Sequence, residues 1–182
     1  MGKLFIVTGP SGAGKREVIA RVKQYGLKIC QVVTYTTRDK RREETAGEDY
    51  YYISQKEFMK MADENQFMEW TEVHDHLYGS KKEDVDKTLK VNPAVVLETD
   101  PVGARKIKKS SPSSVTIFIM PPSYEYLKNR LSSLSQEEIK RRIEIGRKEL
   151  ENLLDWDYLA VYEDGKLDQA AEAITKIIKD NL

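Results

Sequence analysis

The chain has 182 residues, enough for one domain with a substantial core. Its 30 Lys and Arg balance its 30 Asp and Glu, so no net field points to nucleic acid or to a membrane surface. One cysteine, Cys30, rules out an intramolecular disulfide and suits a reducing, cytoplasmic compartment, and no apolar run reaches the roughly 18 residues of a spanning helix.

In chain order, Leu4-Phe5-Ile6-Val7 is a short apolar run before a glycine loop and reads as a buried strand. Glu17 to Tyr25 places Val18, Ile19 and Val22 on one helical face, with Gly26 as the stop. Ile29 to Tyr35 is β-rich, and Cys30 within it is expected to be a buried, inert thiol. Tyr50 to Ile53 is a further strand, and Ser54-Gln55-Lys56-Glu57 fits a capping box. Phe67 to Val73 alternates apolar and polar residues, and Ser80 to Glu83 resembles a second cap. Ala94 to Leu97 and Val115 to Ile119 have the continuous apolar character of strands buried on both faces. Ser135 and Glu138 open a helix running toward Leu154, followed by a strand at Tyr158 to Val161 and a helix from Leu167 to Ile178. Trp70 and Trp156 are expected in the core or half-buried. Buried strands alternating with helices predict an α/β fold with a parallel-sheet core. Residues 34–90 alternate like a half-exposed, mixed or antiparallel sheet and are read as an inserted lobe. The core is then about 1–33 and 91–182 of a single domain.

Between the first strand and helix stands Gly9-Pro10-Ser11-Gly12-Ala13-Gly14-Lys15-Arg16. Glycines let a backbone fold around a phosphate with its amides inward, the following helix adds its positive end, and Lys15 supplies a point charge. The eighth position of such a loop ordinarily carries a hydroxyl that ligates Mg²⁺. Arg16 has only donors and a positive charge, so it cannot ligate a cation. Three readings stay open: a metal held by phosphate oxygens and water instead, lost metal binding, or a side chain that points outward. Downstream, Thr34, Arg38, Arg41 and Tyr50 lie in a run of charged and hydroxyl residues able to grip phosphate oxygens, though a run this charged reads equally as a solvated loop. His74 and His76 flank Asp75, but two histidines without further ligands at suitable spacing mark a polar loop, and no metal site is assigned.

Gly9 to Lys15, followed by Thr-Thr-Arg-x-x-Arg-x-x-Glu-x-x-Gly-x-x-Tyr, resembles the guanylate kinase family. Phe67-Met68-Glu69-Trp70, Tyr78-Gly79-Ser80, Leu97-Glu98-Thr99-Asp100 with Gly103, Arg130, Arg142 and Glu149-Leu150 continue the resemblance in register to about residue 164. It implies ATP-dependent phosphorylation of GMP or dGMP. By that similarity Gly9 to Arg16 hold ATP, and Thr34, Arg38, Arg41, Tyr50 and Tyr78 grip the GMP phosphate. Glu69, Ser80 and Asp100 read the base, since guanine offers two adjacent donors that a carboxylate accepts side by side. Lys15, with Arg130 and Arg142 from a short helical lid at about 130–147, stabilises the transferred group. Glu138 and Arg142 are also spaced for ordinary pairing along a helix. The implied partners are GMP and ATP with Mg²⁺, with no nucleic acid or membrane, in a monomer or homodimer.

Four positions depart from the family pattern: Arg16, Glu98 for Asp, a short lid segment at Ser132 to Ser135, and Tyr162 where an Asn is usual. All but Glu98 fall on the donor side, which predicts better retained GMP binding than ATP use. Two alternatives remain: a non-catalytic guanylate kinase-like binding module, and a related kinase of a phosphorylated sugar.

Overall fold

The computed structural model describes residues 2–151 and 153–182. A five-stranded parallel sheet comprises β1 (Lys3–Thr8), β2 (Ile29–Gln31), β7 (Ala94–Glu98), β8 (Val115–Met120) and β9 (Tyr158–Val161), in the order β2-β7-β1-β8-β9. Strand periodicity divides its side chains between two cores. Phe5, Val7, Val96, Ile117 and Ile119 pack with residues of α1 (Lys15–Gln24) and α7 (Leu167–Asp180). Their neighbours Leu4, Ile6, Val95, Leu97 and Phe118 face the other way, toward α3 (Lys82–Val91) and α4 (Pro101–Ser110). Burial on both faces is why these strands are uninterrupted apolar runs.

The order of strands creates the site. From β1 the chain goes by α1 to β2 on one side, and from β7 it crosses by α4 to β8 on the other. The crevice beyond the carboxyl ends of strands at such a switch point is where ligands bind in open α/β sheets. The glycine loop fills it.

A second sheet, of order β4-β3-β6-β5, is built from β3 (Thr34–Thr36), β4 (Tyr50–Tyr52), β5 (Phe67–Val73) and β6 (His76–Lys81). β3 pairs parallel with β4 and antiparallel with β6, so the sheet is mixed. His74 and Asp75, with φ of 51° and 64°, make the two-residue turn between β5 and β6. The sheet has its own small core of Phe58, Phe67 and Leu77, supported by α2 (Gln55–Asp63). The last elements are α5 (Tyr124–Arg130) and α6 (Gln136–Leu150), capped by Ser123 and Ser135, and a 3₁₀ turn at Leu153–Asp155.

The structure departs from the sequence reading in several places. The β-rich stretch from Ile29 to Tyr35 is two strands in two sheets, divided where Val32 donates to the Val96 carbonyl at 2.9 Å. β6 went unread because Tyr78-Gly79-Ser80 looks like a turn. The Ser54–Glu57 capping box is present in both directions. The expected cap at Ser80 is not, because Ser80 lies inside β6 and its hydroxyl is directed to Glu69; Lys81 occupies the N-cap without a side-chain bond. Cys30 is half-buried, on a strand at the sheet's edge. Trp156 is buried and stacks on Phe118, whereas Trp70 lies at the surface with Lys106 over its ring.

Phe58 is fully buried and stacks on Phe67 at 4.5 Å between ring centroids. Phe58→Ala is expected to cost about 3–5 kcal/mol, read as a lowered urea midpoint.

Candidate active site

The loop after β1 turns through three left-handed or open glycines: Gly9 at φ 141°, Gly12 at 84° and Gly14 at 80°. At Gly14 a side chain would also collide with the ring of Tyr162, which packs against the loop. Lys15 opens α1, and its ammonium folds back to donate to the Gly9 and Pro10 carbonyls at 2.8 and 3.2 Å. This loop forms one end of a cavity of ≈ 760 Å³. Gly9, Ser11, Gly12, Gly14, Lys15 and Arg16 line it, while Pro10 and Ala13 are buried behind the wall.

The opposite wall is the second sheet. Thr34, Arg38, Arg41, Tyr50, Glu69 and Tyr78 face the same cavity, as does Asp100. The Arg38 guanidinium and the Arg41 main chain are held by a residue that the sequence reading named only as part of a motif. The Glu44 carboxylate accepts from Arg38 Nη2 at 2.7 and 3.0 Å, the Arg41 amide at 2.9 Å, the Tyr52 hydroxyl at 2.8 Å and Arg16 Nη1 at 3.1 Å. Burial alone would raise its pKa, but these donors, Arg38 foremost, bring it down to about 2. Burial pushes the Tyr50 hydroxyl up, so it stays protonated and a donor. Arg16 therefore does not point outward into solvent; it spans the gap between the loop and the second sheet.

Glu69 is the second buried carboxylate, 5% exposed on β5. Ser80, fully buried behind the wall, donates to its Oε1 at 2.7 Å. Its Oε2 is buried without a hydrogen-bond partner. Desolvation raises its pKa to about 7. Gly103 is required beside it: a Cβ there would stand 2.6 Å from Glu69 Oε2 and 2.4 Å from Thr99 Oγ1. Asp100 is already engaged. Its Oδ1 caps α4 by accepting from the Val102 and Gly103 amides at 2.8 and 3.1 Å, and its Oδ2 accepts from the Thr71 hydroxyl.

Arg130 and Arg142 also reach the cavity. Arg130 Nη1 donates to Asp164 at 2.6 Å, and Nη2 donates to Glu17. Arg142 donates to Glu138 at 2.6 Å, the helical pair foreseen from spacing, and to the Ser11 hydroxyl of the loop at 3.0 Å. Glu149, on the same helix, has an unpartnered buried oxygen, and desolvation raises it to about 7 although Lys15 acts against this. Among the described residues no group of three or more His, Cys, Asp or Glu is disposed to hold a metal ion. Arg16, in the hydroxyl's place, has no lone pair to offer a cation.

A guanylate kinase family model matches residues 1–181. The chain is 40% identical to the guanylate kinase of Caldanaerobacter subterraneus subsp. tengcongensis, covering 97% of this chain and 86% of that one. It is 36% identical to the guanylate kinase of Thermotoga maritima, over 98% and 86%. The crystal structure of guanylate kinase from Anaplasma phagocytophilum superposes with a TM-score of 0.81 at 26% identity, covering 98% of this chain and 85% of that one. A shikimate kinase from Bacteroides thetaiotaomicron, 13% identical with a TM-score of 0.56, shares the fold alone. A phosphate loop facing an arginine-rich wall and a buried carboxylate, in a chain matched from end to end, leaves one conclusion: it belongs to the guanylate kinase family.

Proposed function

We infer that the protein transfers the terminal phosphoryl group of ATP to GMP, giving ADP and GDP. The observation that carries this is Glu69. A carboxylate buried in the cavity wall, with one oxygen satisfied by Ser80 and the other unpartnered, calls for hydrogen-bond donors from a ligand. Guanine's N1–H and 2-amino group are such donors, and adenine has no matching pair. A phosphorylated sugar would leave Glu69 without that match. A binding module without turnover has no use for Lys15 at a phosphate loop.

In this reading the GMP phosphate meets Thr34, Arg38, Arg41, Tyr50 and Tyr78, and Ser80 and Asp100 steady the base-reading wall. ATP lies with its phosphates on the amides of Gly9 to Arg16. Mg²⁺ enters as part of the ATP complex, held by phosphate oxygens and water, which it retains readily. No side chain attacks. An anionic oxygen of GMP forms the new bond to the γ-phosphorus as the bond to the β,γ-bridging oxygen breaks, and ADP leaves with that electron pair. The protein's part is alignment and charge. Lys15 exchanges the loop carbonyls for phosphate oxygens, and Arg130 and Arg142 exchange carboxylates for the transferred group. The lobe of residues 34–90 and the lid of about 130–147 close over both nucleotides and keep water out. The setting proposed for this activity is the cytoplasm; among the described residues no helix is long and apolar enough to cross a membrane.

ADP release with GMP is expected to exceed that with AMP by about 10⁴ in kcat/KM. Lys15→Ala is expected to remove turnover while GMP still binds, as measured by calorimetry. Equal rates with the two acceptors would refute the assignment.

Because Glu69 can accept from two donors side by side only as the carboxylate, and its pKa in the free protein is about 7, affinity should rise with pH through neutrality. Guanosine, which has no phosphate to titrate, is the suitable probe. Its binding is expected to tighten from about pH 6 to about pH 8 and then level off. Glu69→Gln should weaken it and flatten the profile.

A further inference from the structure

Arg16 stands where a loop of this kind carries a metal-binding hydroxyl, yet its guanidinium lies against the opposite wall. Its Nη1 donates to Glu44 Oε1 at 3.1 Å and stands 3.5 Å from Asp49 Oδ1. Arg38 Nη2 donates to the same Glu44 oxygen at 2.7 Å. Both guanidinium carbons lie near the Tyr50 ring, Arg16 at 5.1 Å and Arg38 at 5.6 Å from its centroid. Thus a residue of the donor loop has joined the cluster read above as the acceptor-phosphate grip.

Three guanidinium groups, those of Arg16, Arg38 and Arg41, face this part of the cavity with Tyr50 as a neutral donor; Glu44 and Asp49 pair with Arg16, and Glu98 acts on it through space. Glu44, with a side chain 1% exposed and a pKa of about 2, is ionised at neutral pH and holds the Arg16 and Arg38 guanidinium groups. Both carboxylate contacts of Arg16 run through Nη1, one corner of a fork with five N–H donors. A phosphate held by Arg38, Arg41 and Tyr50 would meet the rest of that fork. Arg16 is itself anchored in the first turn of α1, next to Lys15.

We propose that Arg16 is a third arginine of the acceptor-phosphate site, supplied by the donor loop, which binds the GMP phosphate and holds it in line with the phosphates of ATP. This rests on the reading of the cavity as a GMP site. In direct phosphoryl transfer two anionic groups must approach each other, and a cation fixed between them offsets their repulsion where it is greatest. The hydroxyl-bound metal of an ordinary loop serves the donor. Arg16 instead ties donor to acceptor.

The test compares GMP with guanosine, which differs by the phosphate, in calorimetry on wild type, Arg16→Ala and Arg16→Lys without ATP. The Arg16 side chain is 42% exposed, so its truncation spares the core. Arg16→Ala is expected to weaken GMP about tenfold to a hundredfold and to leave guanosine within about twofold. Arg16→Lys should recover part of the loss, since it restores the charge without the fork. In turnover, Arg16→Ala should raise KM for GMP more than KM for ATP. Unchanged GMP affinity would overturn the proposal. So would an equal loss for guanosine, which would make Arg16 a strap between lobes, or a larger rise in KM for ATP. If the wild type bound GMP no better than AMP, the site reading itself would fail, whatever Arg16 does.

Discussion

The site depends on one buried anion. Glu44 sits at the meeting of the loop after β3, the edge strand β4 and the start of α1, and it accepts from residues of all three. Desolvating a carboxylate is costly unless donors replace the lost water. Here the donors are the Arg38 and Arg16 guanidinium groups, the Arg41 amide and the Tyr52 hydroxyl. The cost of burying one negative charge thus becomes the means of holding several positive ones in place before any ligand arrives. Without Glu44, Arg38 and Arg16 would repel each other across the Tyr50 ring.

Glu69 shows the opposite solution with the same functional group. Both carboxylates are at most 5% exposed, yet one is held near a pKa of about 2 and the other near about 7. The difference lies in the donors. Glu44 has charged partners within the chain, so it is complete and structural. Glu69 has a single hydroxyl and a close-packed glycine, Gly103, whose missing Cβ leaves room at Oε2. Folding leaves this carboxylate short of partners, and in the proposed reading a base with paired donors relieves that shortage, so that selectivity would come from an unfinished hydrogen-bond set.

Much of this was legible in the sequence where local chemistry dictates geometry. The continuous apolar runs gave the core strands, the glycine loop and its helix followed β1, and Ser54 with Glu57 closed the capping box. Motif spacing brought Thr34, Arg38, Arg41, Tyr50, Glu69 and Tyr78 to one wall of the cavity. What was not legible depended on long-range pairing. β6 contains Gly79, which reads as a turn but is needed because Phe58 and Phe67 would lie 2.9 Å from a Cβ there. The Ser80 hydroxyl could cap a helix by local rules, and only the β5–β6 register sends it to Glu69 instead. Glu44 was visible in the motif, but its role as organiser needs the tertiary approach of Arg16, 28 positions away along the chain.

The donor side is built by the same physics with weaker ties. Arg130 is held by Glu17 and Asp164, and Arg142 by Glu138 and Ser11. Asp75, at the β5–β6 turn, pairs with Arg141 on α6 at 3.2 Å, so the second sheet and this helix also touch through an exposed ion pair. Exposed pairs of this kind contribute about 0–1 kcal/mol each. The two halves of the cavity therefore follow different rules. The acceptor wall is preorganised around a buried charge, whereas Arg130 rests on the more exposed carboxylates of Glu17 and Asp164 and Arg142 on the part-buried Glu138. In the proposed reading, a lid that opens on every turnover needs contacts of the second kind, and a firm grip on the acceptor phosphate needs the first.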